Sequence, residues 1–267
     1  MSIEEKSASS DADLRLNLVR KHDRSIYLFQ TVDSTNRLAK EMLKDEPEGA
    51  LILSESQTAG RGRMGRSFFS PEADGLYMSM KLKPNLPAEE AIFLTAMAAV
   101  AVTRAIEKLY CLKTKIKWVN DIYFENKKLC GILVEGEIDG SGRLSRAILG
   151  IGVNLRAPSG GYPDDIKDKA GALSQFSAEK VSKLRFAAEI VNCFEELYEC
   201  GDKQVFMNEY REKSCLIGKE VEVISYVGAE ANRATVLGID DSARLIVLME
   251  DGKEKSLSSG DVSIIIK

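Results

Sequence analysis

Histidine is almost missing from this chain: His22 is the only one in 267 residues. That excludes a multi-histidine metal centre and a Ser-His-Asp triad built on a core histidine. His22, near the N-terminus, reads as an ordinary surface residue. Paired cysteines are missing too. Cys111, Cys130, Cys193, Cys200 and Cys215 are scattered and odd in number, with no CxxC, so zinc knuckles and redox dithiols lose support. They read as reduced intracellular thiols, some of them core filler. A basic excess is absent: the net charge is −4 and the pI about 5.4. That argues against general nucleic-acid binding, while leaving room for one local basic pocket. The longest apolar run, Ala96–Val102, is too short to span a bilayer. Met1–Asp13 is polar and acidic, without the apolar segment of a signal peptide. A soluble, cytoplasmic protein is expected. No internal repeat is found.

What is present fits a globular chain. A hydrophobic content of 44% over 267 residues allows one large domain, or a large and a small one. Residues 1–25 read as a tail with a short apolar patch at Leu14, Leu16, Leu18 and Val19. Ile26–Val32 reads as a strand. Asp33-Ser34-Thr35-Asn36 then supplies helix-capping residues ahead of Leu38, Ala39, Met42 and Leu43 at helical spacing. Ala50–Ser54 is a second strand. Gly75–Leu82 alternates as a half-buried strand, and Ala88–Leu109 is a buried helix. Thr114–Val119 is a strand, and Asp121–Phe124 with Lys128–Ile138 forms a hairpin about Glu125-Asn126-Lys127. Leu144–Leu155 follows the turn Asp139-Gly140-Ser141-Gly142. Ala178–Glu199 and Val205–Ser214 are helical. From Gly218 onward come short alternating runs, Glu220–Tyr226, Asn232–Ile239, Leu245–Glu250, Lys253–Leu257 and Val262–Ile266, the pattern of a small β-barrel. The expected fold is α+β: a mixed, largely antiparallel sheet with helices on one side over residues 26–216, plus a barrel over 217–267.

The most informative stretch is Gln57–Phe69, in which Gly60, Gly62 and Gly65 alternate with Arg61, Arg63 and Arg66. Glycines let such a loop bend, and arginines offer charge-assisted donors to an anion. Phe68 and Phe69 add a flat apolar surface, so a phosphate attached to a ring-bearing ligand is the first expectation. Gly60-x-Gly62-x-x-Gly65 also fits the dinucleotide fingerprint, but no helix opens inside it and Pro71 follows. Three further polar clusters stand at strand ends or loops: Ser34-Thr35-Asn36, Lys117-Trp118-Val119-Asn120-Asp121 and Lys127-Lys128-Leu129-Cys130-Gly131. Taken singly they read as an N-cap, a turn and a solvated hairpin tip, and Trp118 as a core residue.

In combination they resemble a biotin protein ligase. The resemblance rests on Asp33–Asn36, Ser56–Arg66, Lys117–Asp121, Lys128–Glu135 and Gly150–Asn154 in that order, and it covers residues 26–267. It implies a class II synthetase-like sheet, a C-terminal SH3-like barrel, and two half-reactions. Biotin's carboxylate attacks the α-phosphorus of ATP to give biotinyl-5′-AMP. A lysine of a biotin carboxyl carrier domain then takes the biotin. The implied substrates are biotin and ATP, with Mg²⁺ carried by the phosphates and no protein-built metal site. By the same resemblance Ser34, Thr35, Asn36, Gln57, Gly60, Arg61, Gly62, Arg63, Lys128, Gly131, Leu133 and Gly150 bind biotin. Arg63, Arg66, Phe68, Asn120, Lys128 and Asn154 bind the nucleotide. Arg63, Lys128 and Asp121 carry the chemistry: holding the adenylate, stabilising the charge that develops between carboxylate and phosphate, and orienting or deprotonating the incoming lysine.

Two departures stand out. Val119 replaces the family's usual Pro, which points to a less rigid turn. Phe68 stands where many relatives have Trp, which points to weaker stacking on adenine. Residues 1–25 are too short for the DNA-binding domain of many bacterial relatives, so a monofunctional ligase without DNA contact is expected, pairing as a homodimer. A lipoate or octanoyl ligase or transferase of the same broad fold, and a non-catalytic biotin binder, are the alternatives. The Gly/Arg loop speaks against the first, and Arg63, Asn120 and Lys128 against the second.

Overall fold

A computed structural model of the chain describes residues 12–19, 24–72, 74–224, 231–258 and 261–264. His22 and most of the expected tail lie outside these. The chain runs α1 (Ala12–Asn17), β1 (Ile26–Val32), α2 (Thr35–Met42), β2 (Leu51–Gln57), β3 (Gly75–Leu82), β4 (Leu86–Pro87), α3 (Ala91–Tyr110) and β5 (Lys115–Lys117). It continues through β6 (Asp121–Phe124), β7 (Lys127–Ile138), β8 (Arg143–Asn154), α4 (Lys183–Cys200) and α5 (Lys203–Glu212). The last elements are β9 (Glu220–Ile224), β10 (Asn232–Ile239), β11 (Leu245–Met249), β12 (Glu254–Leu257) and β13 (Asp261–Ile264). The second half of the expected strand Glu220–Tyr226 falls partly outside the described residues.

The main sheet has the order β1-β2-β3-β8-β7-β6-β5, with β4 pairing β8. Only β1 and β2 pair in parallel, because α2 carries the chain back across the sheet between them. The other pairs are antiparallel. Helices do not lie on one side, as expected from sequence. In β2, Leu51 and Leu53 join a core with α3 and α4, whereas Ile52 joins Leu38, Ala39 and Leu43 of α2 on the opposite face. For the same reason β3 is buried along its whole length rather than half-buried. Its polar face is covered by α2 and satisfied there. Ser79 Oγ donates to Asn36 Oδ1 at 2.7 Å, and Lys81 Nζ donates to the Lys44 carbonyl at 2.7 Å, just beyond the end of α2.

Three boundaries shift for identifiable reasons. The expected helix from Ala178 starts at Lys183, where the Ser182 hydroxyl caps the Arg185 N–H at 3.2 Å. The expected strand Thr114–Val119 shrinks to Lys115–Lys117, because the chain turns through Trp118–Asn120. Residues 12–17, expected as tail, form α1. Leu14 and Leu18 of this segment are buried, while Asn192 of α4 donates to the Asn17 carbonyl at 2.9 Å. Leu16 and Val19 face solvent. The hairpin about Glu125 and Asn126 forms as read, both residues taking positive φ (45° and 64°).

The second sheet is antiparallel throughout, ordered β12-β11-β10-β9-β13. Its buried Val221, Val223, Val236 and Val247 belong to the same hydrophobic cluster as α3 and β3. Arg211 of α5 donates to the Ile239 carbonyl at 2.8 Å across the junction. Among the described residues no helix is long and apolar enough to cross a membrane.

Candidate active site

A cleft of about 120 Å³ opens where the Gly/Arg loop leaves β2 and folds back over β7 and β8. One wall is the start of α2. Ser34 caps the helix, its hydroxyl facing the Arg37 N–H at 3.5 Å. The Thr35 N–H and hydroxyl donate to Gln57 Oε1 at 2.8 and 3.1 Å, and Gln57 Nε2 donates to Ser70 Oγ at 2.9 Å. Asn36 Nδ2 donates to Glu135 Oε2 at 2.9 Å and to the Leu133 carbonyl at 3.2 Å. Beneath it lies Gly150, where a Cβ would stand 2.0 Å from Asn36 Oδ1. Ser34 thus caps α2, and Ser34, Thr35 and Asn36 also line the cleft.

The Gly/Arg loop is a narrow hairpin. Arg61 and Ser67 bridge antiparallel, Gly62 N–H donates to the Arg66 carbonyl at 2.7 Å, and Phe68 N–H donates to the Gly60 carbonyl at 2.8 Å. The tip turns through Met64 and Gly65, with φ of 56° and 75°. Gly60 does not line the cleft. It allows the loop's two arms to close, because a Cβ there would sit 2.3 Å from the Phe68 carbonyl oxygen. No helix follows, which removes the dinucleotide fingerprint. The arginines reach different walls: Arg61 Nη1 lies 3.1 Å from Glu135 Oε1, and Arg63 Nη1 donates to Asn120 Oδ1 at 3.3 Å.

The floor is bare backbone. Gly131 of β7 pairs with Gly152 of β8, and the Phe68 ring lies over both. A Cβ would stand 3.0 Å from the ring at Gly131 and 2.6 Å at Gly152. Tyr77 supports the same ring edge-on at 6.5 Å.

The far wall is the Trp118–Asp121 turn. The Trp118–Val119 peptide is cis, and both side chains are buried. The turn is tied at four points. Tyr210 Oη donates to the Val119 carbonyl at 2.9 Å, and Trp118 Nε1 donates to the Ala243 carbonyl of the small sheet at 2.9 Å. Asn120 Nδ2 donates to the Ile132 carbonyl at 2.9 Å, and Lys128 Nζ lies 2.7 Å from Asp121 Oδ1. Trp118 is both core residue and cleft lining.

The cleft is therefore cationic, with Arg61, Arg63, Arg66, Lys117 and Lys128 against Asp121. Glu135 flanks it. Burial alone would push its carboxyl up, but hydrogen bonds from Lys40 and Asn36 and the charges of Lys40 and Arg61 outweigh burial and hold it below its ordinary value. Among the described residues no group of three or more His, Cys, Asp or Glu side chains could hold a metal ion.

Most residues singled out from sequence meet here: Ser34, Thr35, Asn36, Gln57, Arg61, Gly62, Arg63, Arg66, Phe68, Asn120, Asp121, Lys128, Gly131, Leu133 and Gly150 all line the cleft. Asn154 does not. Its amide nitrogen donates to the Gly171 carbonyl at 2.9 Å, tying down the segment after β8. Lys117, Gly152 and Glu135 stand inside motifs read from the sequence but were assigned no site role, and Tyr210 was not singled out. Gly152 could have been found by its alternation with Gly150 on β8. Tyr210 carries no local signal at all.

Cationic side chains over a glycine floor suit an anionic ligand. Residues 28–154 match the Biotin/lipoate A/B protein ligase family, and residues 216–264 match the Biotin protein ligase C terminal domain. The Bifunctional ligase/repressor BirA of Bacillus spizizenii is 35% identical over 96% of this chain and 79% of its own length. The Biotin--[acetyl-CoA-carboxylase] ligase of Paracoccus denitrificans is 30% identical over 85% of this chain and 95% of its own. The biotin protein ligase of Aquifex aeolicus, solved with biotin and ATP, superposes with a TM-score of 0.73 at 26% identity, over 91% of this chain and 99% of that one. The chain belongs to the biotin protein ligase family.

Proposed function

We propose that the chain is a cytoplasmic biotin protein ligase. It condenses biotin with ATP to biotinyl-5′-AMP and pyrophosphate. It then passes biotin to the side-chain amine of a lysine on a biotin carboxyl carrier domain, releasing AMP. The observation that carries this is the convergence of Arg63, Asn120, Asp121 and Lys128 on one cleft above the Gly131–Gly152 floor. The first step needs no enzyme nucleophile, because biotin's carboxylate attacks phosphorus itself. It needs alignment and compensation of the negative charge that builds on the α-phosphate. Lys128 compensates that charge between carboxylate and phosphate, and Arg63 and Arg66 hold the phosphates. Ser34, Thr35, Asn36, Gln57, Arg61 and the glycines Gly62, Gly131 and Gly150, with Leu133, form the biotin side, and Gly60 lets the loop's arms close. Phe68 and Asn120 form the nucleotide side, while Asn154, outside the cleft, ties down the segment after β8. Mg²⁺ bound to the ATP phosphates would offset part of their charge, and Asp121 is held by Lys128 at 2.7 Å.

In the second step the attacking lysine must lose a proton, since its ordinary pKa is about 10.4. Asp121 orients and accepts from it, once Lys128 has moved toward the phosphate. Residues 26–216 form the catalytic domain, built on the class II synthetase pattern. Residues 217–267 form a small domain whose five-stranded sheet curls as an SH3-like barrel. A homodimer through sheet edges completes the reading, and sedimentation at micromolar concentration tests it. The match of residues 216–264 favours biotin over lipoate. The decisive experiment supplies ATP, Mg²⁺, carrier domain and either labelled biotin or labelled lipoate. Label from biotin alone supports the reading; label from lipoate alone overturns it.

A further inference from the structure

We infer that Glu135 is a positioning residue: its carboxylate latches the Gly/Arg loop, through Arg61, onto α2 and β7. This rests on the ligase reading and deepens it. Glu135 stands on β7, with its side chain 14% exposed. Three donors from two parts of the chain, α2 and the Gly/Arg loop, meet on it. Lys40 Nζ of α2 lies 2.8 Å from Oε1, Arg61 Nη1 of the loop 3.1 Å from Oε1, and Asn36 Nδ2 of α2 2.9 Å from Oε2.

The consequence follows from where Arg61 sits. Its backbone forms the neck of the hairpin, bridged to Ser67. Holding residue 61 therefore fixes the neck, and with it the direction in which Arg63 reaches Asn120. Asn36 is oriented by the same carboxylate, and it also accepts from Ser79 and donates to the Leu133 carbonyl. One half-buried anion thus sets the loop and the α2 wall relative to each other. Both of its oxygens are already occupied, so Glu135 acts through Arg61 and Asn36 rather than on a substrate. The rival account is that Glu135 only neutralises Lys40, in which case Arg61 would be indifferent to it.

The test uses the full chain as wild type, Glu135→Gln, Arg61→Met and the double variant. Trypsin cleavage after Arg63 and Arg66 without substrates reports the loop, and carrier labelling reports KM for biotin and kcat. The expected result for Glu135→Gln is cleavage and KM raised about three- to tenfold, the range for losing a half-exposed charge-assisted bond. Its kcat stays within about twofold, as expected where only ground-state and transition-state binding are lost together. Arg61→Met gives the same rise in cleavage, and Glu135→Gln adds nothing further to cleavage in that background. Unchanged cleavage in Glu135→Gln, or effects of the two substitutions that multiply, would overturn the latch. If Glu135→Gln fails to fold, Arg61→Met alone decides, since unchanged loop cleavage there excludes the latch. A wild type that does not label the carrier from biotin sinks the ligase reading but leaves the trypsin arm, and so the latch, independently decided.

Discussion

Lys128 is the residue at which geometry and charge make the narrowest claim. Its ammonium lies 2.7 Å from Asp121 and lines the cleft above the glycine floor. Lys128→Ala removes a cation aimed at developing negative charge, so biotin-dependent pyrophosphate release is expected to fall about 10²–10³-fold. Thermal stability should barely move, because the pair is partly exposed. A comparable loss of stability would reassign Lys128 to the scaffold. Gly152 gives a steric counterpart. A Cβ there meets the Phe68 ring at 2.6 Å, inside any real contact, so Gly152→Ala must displace the ring. KM for ATP should rise while biotin binding stays near wild type; the reverse order would place Phe68 on the biotin side. Glu135 adds a pH signature. Its folded pKa is depressed below the ordinary 4.5, so the stability it confers is complete above that pH and drains away as pH falls through the folded value. Acid melting curves of Glu135→Gln should therefore lose part of the wild-type slope below pH 4.5.

At the scale of elements, the α1–α4 region is tied to the start of β1 by one buried pair. Arg24 Nη2 lies 2.7 Å from Glu195 Oε1, with side chains 1% and 9% exposed. Removing one partner leaves a buried charge uncompensated, so Glu195→Gln is expected to cost about 3–5 kcal/mol in urea unfolding. The apolar double substitution Arg24→Met with Glu195→Leu should recover most of that, and failure to recover would mean the pair is needed for packing as well as charge. This pair also marks the limit of what the sequence discloses. Local signals were legible: Ser34 capping α2, the Glu125–Asn126 turn, the alternation of the C-terminal strands, and glycines and arginines at the end of β2. Each is written within a few neighbouring residues. Arg24–Glu195, Lys40–Glu135 and Tyr210–Val119 join positions 171, 95 and 91 residues apart, and nothing in the flanking sequence announces them. The burial of β3 was hidden for a related reason. Ser79 and Lys81 look like a solvent face until α2 supplies Asn36 Oδ1, and the segment just beyond it the Lys44 carbonyl, as partners.

At the scale of the whole molecule the two sheets are two in hydrogen bonding but one in core. Val221, Val236 and Val247 share a hydrophobic cluster with α3 and β3. Polar ties cross the junction as well: Arg211 to the Ile239 carbonyl and Asp241, and the Trp118 indole to the Ala243 carbonyl. The indole tie runs straight into the turn that presents Asn120 and Asp121. Loss of packing in the small sheet should therefore reach the cleft. Trp118 is the chain's only tryptophan and is 4% exposed, so its fluorescence reports that junction specifically. Val236→Ala, far from any substrate, removes two buried carbon atoms and is expected to cost about 2 kcal/mol. If the sheets unfold as one unit, the urea midpoint seen by Trp118 fluorescence and by far-ultraviolet dichroism should fall together by the same amount. Two separated transitions, with Trp118 following only the later one, would mean that the small sheet melts alone and that the Trp118–Ala243 bond does not couple it to the catalytic turn.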